Sequence, residues 1–253
     1  MASLGTTYVI SDVHGHLADL ERVLAEAGLA SDGRWSGGDA DLWVLGDLLD
    51  RGPDGIGVVR LLRSLQEQAP DHVHVLMGNH EALAIGCRLF PDTRFAEIWL
   101  VNGGLAQDQM SLTDEELAWL RALPVAGSAA GHLLLHSDTL GYLEWGSSIE
   151  EVNATVTGLL ADDEAQTHWD VFAALTDRFD FLGEDGPAHA RRLLDTLGGD
   201  RVVHGHSIIG SLVDKPSESV DGPLTYADDL AMGIDGGRYD GGPLLLVELA
   251  RAE

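Results

Sequence analysis

The chain has 253 residues, 45% of them hydrophobic and 23% charged, which is the composition of an ordinary soluble globular protein. Its 15 Lys and Arg residues stand against 42 Asp and Glu residues, a formal net charge of −27 that repels nucleic-acid phosphates. The sequence has no signal-peptide pattern and no apolar run near the ~20 residues that cross a bilayer, and its single cysteine excludes an internal disulfide. We therefore expect a cytoplasmic protein that binds neither nucleic acid nor membrane, with its oligomeric state unknown.

Hydrophobic periodicity predicts alternating strands and helices in the first third of the chain. A helix from about Leu17 to Ala27 is followed by Gly28, which is placed to end it. Pro53 is placed to open a second helix at its first position, and Pro70 lies beyond the end of that helix. The strands predicted in this region are Thr7–Ile10, Leu42–Leu45 and His72–Met77.

The rest of the chain continues the alternation. Capping-box patterns that begin at Thr113 and Ser148 predict the starts of two helices. A further helix carries apolar residues from Trp169 to Phe179, and another runs from Pro187 to near Gly198. Strand-like runs are His132–Leu135, Arg201–Val203, Ile208–Val213, Ala231–Ile234 and Leu244–Leu249. We expect one α/β domain over residues 1–253, with a helical insertion at about 144–198.

Polar residues cluster where five of these strands end. Each end carries Asp, His or Asn, usually beside glycine, and the carboxyl ends of strands are where sites assemble in α/β sheets. The five segments are SDVHGH after Ile10, GDLLDRG after Leu45, GNHE after Met77, HSD after Leu135 and HGHS after Val203. Asp and neutral His suit Mn, Fe or Zn, and a carboxylate can bridge two ions. Two aspartates leave two divalent ions with net positive charge, so the sequence predicts a pocket for a phosphate ester.

These motifs occur in the order and approximate spacing of calcineurin-like metallophosphoesterases. The chain resembles most closely the phosphoprotein phosphatase branch, which also contains symmetrical diadenosine tetraphosphatases. WLVNGG at Trp99–Gly104 and IDGGRYDGG at Ile234–Gly242 resemble further segments of bacterial members. The resemblance covers most of the chain from Tyr8 to Leu249, apart from the insertion. It implies a two-layered β-sandwich core flanked by helices, with a dinuclear metal site at the strand carboxyl ends.

The resemblance also implies a role for each motif residue. His80 resembles the general acid, Asp50 the carboxylate that orients it, and Arg51 the guanidinium that binds the phosphoryl oxygens. The implied cofactor is two divalent metal ions, Mn²⁺ in the first place and Fe or Zn as alternatives. The implied reaction is in-line attack on phosphorus by a hydroxide that bridges the ions, with no phosphoenzyme. The residues that resemble metal ligands are Asp12, His14, Asp47 (bridging), Asn79, His136 and His206.

For some of these residues, a purely structural role is the alternative to a functional one. Asp50 and Arg51 could pair with each other across the turn, as a surface contact. The family usually follows the strand-end histidine with glycines, whereas Ser137-Asp138 follow His136 here. We expect His204 to support the site rather than bind metal. Buried turn support is likewise the expected role of Asp235.

The charge of the insertion bears on the substrate. Residues 144–186 contain 11 Asp and Glu and a single basic residue, Arg178. A lid of that sign repels a polyphosphate and tolerates a phosphorylated side chain flanked by basic residues. We therefore expect a serine/threonine-type protein phosphatase, acting on a phosphorylated protein or small phosphoester. The alternatives are a symmetrical dinucleoside polyphosphate (diadenosine tetraphosphate) hydrolase and a non-catalytic metal-binding regulatory module. Protein phosphatases of this branch use a further arginine, for which the candidates are Arg178, Arg191, Arg192 and Arg201.

Overall fold

A computed structural model describes residues 5–250, which form two main β-sheets surrounded by helices. The strands are β1 (Thr7–Ile10), β2 (Ala30–Ser31), β3 (Arg34–Trp35), β4 (Asp41–Val44), β5 (Val73–Val75), β6 (Ala126–Ala129), β7 (His132–Leu135), β8 (Val202–His204), β9 (Leu224–Tyr226), β10 (Ala231–Gly233) and β11 (Leu246–Leu249). The helices are α1 (Leu17–Glu26), α2 (Gly55–Gln68), α3 (Asn79–Leu89), α4 (Arg94–Val101), α5 (Ala106–Ser111), α6 (Asp114–Arg121), α7 (Ile149–Leu160), α8 (Ala165–Thr176), α9 (Gly186–Leu197) and α10 (Ile209–Leu212). Within these residues, no helix is long and apolar enough to cross a membrane.

The first sheet has the strand order β11-β1-β4-β5. Strands β1, β4 and β5 run parallel, and β11 pairs antiparallel with β1 at the edge. Parallel strands place their carboxyl ends on the same side of the sheet. The chain segments that follow Ile10, Val44 and Val75 therefore start close together.

The second sheet has the order β6-β7-β8-β10-β9. Its central strands β7, β8 and β10 are parallel, whereas the outer strands β6 and β9 pair antiparallel with their neighbours. The segments after Leu135 and His204 accordingly leave this sheet from one side. A separate hairpin joins β2 and β3.

Buried side chains from both sheets meet in one layer. Trp43 of β4 packs so closely on Gly127 of β6 that a Cβ at residue 127 would lie 2.2 Å from the indole ring. The layer between the sheets consists of Val9, Leu45, Leu76, Leu134, Val203, Ile234 and Leu249, each at most 5% exposed. The larger core packs the other sheet surfaces against the helices. The prediction of a two-layered α/β fold is confirmed.

Helix termini follow from local chemistry in most places. Helix α1 ends one residue before the predicted Ala27, and Gly28 follows with a φ of +73°. Thr113 and Glu116 form the predicted capping box at α6. At α7 only half of the predicted box forms: Ser148 caps the helix, but the Glu151 carboxylate accepts from Ser147 instead.

Three predictions about elements are wrong. Helix α2 starts at Gly55 with Asp54 as its N-cap, because the Asp54 carboxylate accepts from the Gly57 N–H at 2.8 Å; Pro53 therefore precedes the cap. The run Ile208–Val213 contains α10 rather than a strand, since a short apolar run has the same composition in either structure. The helix predicted up to Phe179 ends at Thr176. Residues 144–198, where we expected an insertion, contain α7, α8 and α9.

Candidate metal centre

The loops that carry the motifs are held in an unusual backbone conformation. Six of the nine predicted site residues have left-handed φ values: Asp12 (+53°), His14 (+43°), Asp47 (+55°), Asp50 (+68°), Arg51 (+65°) and His206 (+61°). For a residue other than glycine, this region costs roughly 1–2 kcal/mol. Strain of this kind persists only where the surrounding structure fixes it, and it is concentrated at functional sites. The conformation turns side chains of neighbouring loops toward one point.

Two glycines allow the loops to come this close. A Cβ at Gly205 would lie 2.1 Å from Asp12 Oδ2, and a Cβ at Gly78 would lie 2.3 Å from Asp47 Oδ1. Any larger residue at position 205 or 78 would displace the carboxylate of Asp12 or Asp47, respectively. Backbone hydrogen bonds join the loops directly, including His14 N–H to the Asp47 carbonyl at 2.9 Å. The strand ends of both sheets therefore form one continuous wall.

Three histidines are oriented by backbone carbonyl groups. His14 Nδ1 bonds the Leu49 carbonyl at 3.0 Å, and His136 Nδ1 bonds the Leu45 carbonyl at 2.8 Å. His206 uses its other nitrogen, Nε2, for the Thr176 carbonyl at 2.9 Å. A carbonyl can only accept, so each of these nitrogens carries the proton. The remaining ring nitrogen of each histidine then presents a lone pair to the centre, as metal-ligating histidines do.

The Asp47 carboxylate stands between the histidines. Its Oδ2 lies 3.5 Å from His14 Nε2, and its Oδ1 lies 3.4 Å from His136 Nε2. Two groups of possible ligand atoms, each within 4.8 Å of one another, share this residue: His14, Asp47 and His80 in one, and Asp47, His136 and His206 in the other. Burial, and then the charge of Asp12, raises the pKa of Asp47. A buried carboxylate of this kind is stabilised by cations.

Acceptor atoms also converge around Asn79. Its amide oxygen lies 3.0 Å from His136 Nε2, with both oxygens of Asp47 and His206 Nδ1 within 3.2 Å of the same atom. Two arrangements satisfy these atoms: a cation among them, or an amide rotated so that its nitrogen donates. The donor set of carboxylates, imidazoles and an amide oxygen fits divalent ions of the Mn, Fe and Zn class.

Asp12 lies at the rim of the first group. Its Oδ2 accepts from the His206 N–H at 2.8 Å and from the Ser11 hydroxyl. Its other oxygen, Oδ1, is free toward the centre, 4.0 Å from His14 Nε2. The structure thus brings Asp12 into the centre, although His80 rather than Asp12 completes the compact group with His14.

The hydrogen-bond partner distinguishes His80 from the other histidines. His80 Nδ1 lies 2.8 Å from a carboxylate oxygen of Asp50, and the Trp99 indole donates to the other oxygen at 2.9 Å. A carboxylate, unlike a carbonyl, stabilises an imidazolium. His80 Nε2 is buried and lies 4.0 Å from Asp47 Oδ2, and no group within residues 5–250 forms a hydrogen bond with it. Burial lowers the pKa of His80 and raises the pKa of Asp50 to about 7.

Arg51 does not pair with Asp50. Its Nη1 donates to His14 Nε2 at 3.0 Å, and its guanidinium carbon lies 3.9 Å from the centre of the Tyr239 ring. Within residues 5–250, no contact under 4.0 Å joins the Arg51 guanidinium to the Asp50 carboxylate. Asp50 and Arg51 of the GDLLDRG turn therefore contact different partners. The hypothesis that they form a simple ion pair with each other is wrong.

Sequence reasoning missed three residues that support the site. The Glu81 carboxylate accepts from the backbone N–H groups of Asp47, Leu48 and Gly78 at 2.8–2.9 Å. Trp99 and Tyr239 contact Asp50 and Arg51 as described above. All three stand inside quoted segments (GNHE, WLVNGG and IDGGRYDGG), so the segments themselves were the available signal.

The insertion reaches the centre at the end of α8. The Thr176 carbonyl contacts His206. Burial is the main cause that lowers the pKa values of His80, His136 and His206, and the positive charge of Arg178 is a smaller contribution in the same direction for each. The other candidate arginines lie elsewhere: Arg191 and Arg192 are exposed on α9, and Arg201 donates to the Asp229 carbonyl. Of the four candidate arginines, Arg178 is therefore the one that lies within two residues of a contact with the centre, the Thr176 carbonyl on His206.

His204 and Asp235 lie beside the centre but belong to neither group of possible ligands. His204 contacts the Gly205 carbonyl through Nδ1 and the Tyr226 hydroxyl through Nε2. Asp235 accepts from the Gly237 N–H at 2.8 Å, which is the turn support that we expected. Its other oxygen is buried, without a hydrogen-bond partner in the part of the chain that the structure describes. Burial, followed by the charge of Asp12, raises the pKa of Asp235.

Comparison with known proteins agrees with this arrangement. The family described as calcineurin-like phosphoesterase matches residues 5–210. A symmetrical bis(5'-nucleosyl)-tetraphosphatase from Bordetella parapertussis is 30% identical over 136 residues, which cover 54% of this chain and 44% of that protein. The chain thus spans less than half the length of that relative.

Solved structures share the fold. A cold-active protein-tyrosine phosphatase from a psychrophilic Shewanella superposes with a TM-score of 0.70 at 22% identity, covering 98% of this chain and 76% of that one. A putative diadenosine tetraphosphatase superposes with a TM-score of 0.55 at 19% identity, covering 99% and 96%. At these identities the likeness concerns the fold alone. The match over residues 5–210 shows that the chain belongs to the calcineurin-like phosphoesterase family of metal-dependent phosphoester hydrolases, as its motifs predicted.

Proposed function

We propose that the protein is a metal-dependent phosphomonoesterase that removes phosphate from phosphoserine and phosphothreonine in proteins. The observation that carries this proposal is the shared Asp47 carboxylate between two ligand groups, beside a His80–Asp50 pair and two arginines. We also propose a cytoplasmic location, because a single cysteine suits a reducing compartment.

The proposed ligands divide between two ions. Asp12 and His14 would hold the first and Asp47 both, while the second would be held by Asn79, His136 and His206. Mn²⁺ is the proposed metal, with Fe or Zn as alternatives, since carboxylate and imidazole suit all three. When bound, such ions polarise the phosphoryl oxygens and supply a nucleophile from water at neutral pH.

The protein side chains then handle the phosphate and the proton. Arg51 and Arg178 bind the phosphoryl oxygens, for which a guanidinium offers parallel donors. His80, with Nδ1 held by Asp50, delivers the proton on Nε2 to the leaving oxygen. The Asp50 carboxylate stabilises the imidazolium before the transfer and keeps the ring aligned. The free Nε2 and the fixed Nδ1 are the arrangement that this role requires.

The choice of substrate rests on charge. Ten of the 11 acidic residues in residues 144–186 are exposed, and the end of α8 in this segment contacts His206. An acidic surface next to the site disfavours a substrate with four linked phosphates and favours a phosphorylated segment with basic neighbours. We therefore favour phosphoproteins over dinucleoside polyphosphates.

A panel of substrates tests this proposal directly. Purified protein with Mn²⁺ is assayed on phosphoserine peptides with basic flanks, on matched peptides with acidic flanks, and on diadenosine tetraphosphate. We expect the highest kcat/KM on the basic peptides, and no turnover by Asp47→Asn. Much faster cleavage of diadenosine tetraphosphate than of any phosphopeptide would overturn the proposal.

The second candidate is a symmetrical dinucleoside polyphosphate hydrolase. The Bordetella parapertussis relative, named for that activity, favours it. A non-catalytic regulatory module is the third candidate, and the complete set of predicted ligands, acid and arginine argues against it. Metal-dependent hydrolysis of p-nitrophenyl phosphate separates it from both enzymes, because a binding module would release no product.

A further inference from the structure

Asp138 lies two residues after the strand-end His136, in the Ser137-Asp138 pair that stands where the family usually has glycines. Its side chain is fully buried, and its carboxylate accepts from the Ser207 hydroxyl at 2.5 Å and from the Phe179 N–H at 3.1 Å. The Asp138 carbonyl accepts from the Asp180 N–H at 3.0 Å. Buried polar groups with partners on several segments fix those segments relative to each other. Asp138 therefore ties residues 178–180 to the loop that follows His136.

The backbone of Phe179 is strained, and burial of its side chain does not offset the strain. Its φ is +74°, which is a true outlier for a bulky side chain, and 45% of the residue is exposed to solvent. A phenylalanine that is exposed to this extent contributes little hydrophobic stabilisation, and backbone strain at the same residue lowers the stability of the fold. Strain held in place by a buried carboxylate points to a function for the displayed side chain.

The position of Phe179 indicates what that function is. The Thr176 carbonyl, three residues earlier, contacts the His206 ring, and the guanidinium carbon of Arg178 lies 5.8 Å from the centre of the Phe179 ring. Arg51 is the other proposed phosphate-binding arginine. The ring of Tyr239 stacks on its guanidinium, and Tyr239 is 39% exposed to solvent. Each proposed phosphate-binding arginine thus has an exposed aromatic neighbour. For a phosphate held by these arginines, the two rings are therefore available to contact the group attached to it.

We propose that Phe179 is a specificity residue that packs against an apolar side chain flanking the phosphorylated residue of the substrate, and that Asp138 is its positioning residue. This inference rests on the proposed phosphoprotein phosphatase activity. The substrate class is a phosphopeptide with an aromatic or leucine residue next to the phosphoresidue. Contact between two aromatic rings corresponds to a preference of about 5-fold to 10-fold over glycine at that position.

The test compares two phosphoserine peptides that differ only by Phe or Gly directly after the phosphoresidue. We expect a kcat/KM ratio of about 5 to 10 in the wild type and near 1 in Phe179→Ser, mainly through KM. Phe179→Gly removes the ring and accepts the left-handed φ, so its melting temperature stays equal or rises while the ratio falls. Val213→Ser removes a similarly exposed apolar side chain directly after α10 and keeps the wild-type ratio.

Asp138→Asn tests the positioning role. We expect it to reduce the peptide ratio, and we expect the double variant Asp138→Asn/Phe179→Ser to reduce it no further, because both changes act through one contact. Additive losses would overturn the role of Asp138. An unchanged ratio in both Phe179 variants would overturn the role of Phe179.

Failure of the proposed function gives a different result. If no phosphopeptide is cleaved but small phosphomonoesters are, the proposed function is wrong. The ratio of phenyl phosphate to glycerol phosphate turnover then tests Phe179 in the same way, since the phenyl ring supplies the apolar group. A ratio that Phe179→Ser leaves unchanged would again overturn the inference.

Discussion

Gly205→Ala should impair the metal centre although glycine and alanine are both small. A Cβ at this position would lie 1.8 Å from Ser11 Oγ and 2.1 Å from Asp12 Oδ2. The φ of Gly205 is outside the left-handed region, so space alone opposes the substitution. Contacts below 3.0 Å are not tolerated by real Cβ atoms, and the Asp12 carboxylate must therefore move by about 1 Å.

The movement has two consequences. It withdraws the Asp12 carboxylate from its place at the centre, and it breaks the 2.8 Å hydrogen bond from the His206 N–H. A misplacement of about 1 Å typically lowers the rate about 100-fold. Loss of supporting hydrogen bonds typically weakens metal affinity about 10-fold to 100-fold. We expect kcat/KM and the apparent affinity for Mn²⁺ to fall together by these factors.

The assay is hydrolysis of p-nitrophenyl phosphate over a series of Mn²⁺ concentrations. Gly158→Ala is the matched control, because nothing lies within 4 Å of a Cβ at this exposed position of α7; activity should be unchanged there. Ser11→Ala combined with Gly205→Ala should not restore activity, since Asp12 is still displaced. Wild-type activity and Mn²⁺ affinity in Gly205→Ala would refute the proposed place of Asp12 in the centre.

Three further predictions concern the acid, the second arginine and a buried carboxylate. His80→Ala should lower kcat about 10²-fold to 10⁴-fold with an unchanged far-UV circular dichroism spectrum, because general-acid help is lost. Arg178→Ala should lower kcat/KM about 10-fold to 100-fold, chiefly through KM, by removing a charged hydrogen bond to phosphate. Asp108→Asn should raise the free energy of unfolding at pH 7 by about 1–2 kcal/mol. Burial, and then the charge of Asp50, raises the pKa of Asp108 to about 6, so its ionisation destabilises the fold as pH rises from about 4 to about 6.

Each of these predictions has its own check. Full activity of His80→Ala at saturating Mn²⁺ would contradict the acid role. Arg192→Ala, on the exposed surface of α9, is the control for Arg178→Ala, and equal losses in both would point to a general charge effect. Urea unfolding at pH 4 and pH 7 measures the Asp108 effect. The gain in Asp108→Asn should become much smaller at pH 4 than at pH 7, because Asp108 is protonated in the folded protein at pH 4. A gain that is independent of pH would contradict the argument.

Local chemistry in the sequence determined much of this protein. The order of strands and helices, the end of α1 before Gly28 and the capping box at Thr113 follow from periodicity and turn residues. The placement of Asp, His and Asn after five strands was sufficient to predict the ligand types, and the resemblance of the motifs predicted the family. Where the sequence signal was only an apolar run, as at Ile208–Val213, strand and helix could not be separated.

Tertiary structure decided which of these side chains act together. The left-handed φ values of the site residues are imposed by loops from two sheets that meet. Asp and His adopt this region more often than most residues, but their presence alone does not predict it. The choice of Arg178 among four arginines depended on where the insertion folds. The carbonyls of Leu45, Leu49 and Thr176 orient three histidines, yet every residue has a carbonyl group. A contact made by the backbone leaves no mark on the sequence, and so the protonation of each ring became visible only in the folded chain.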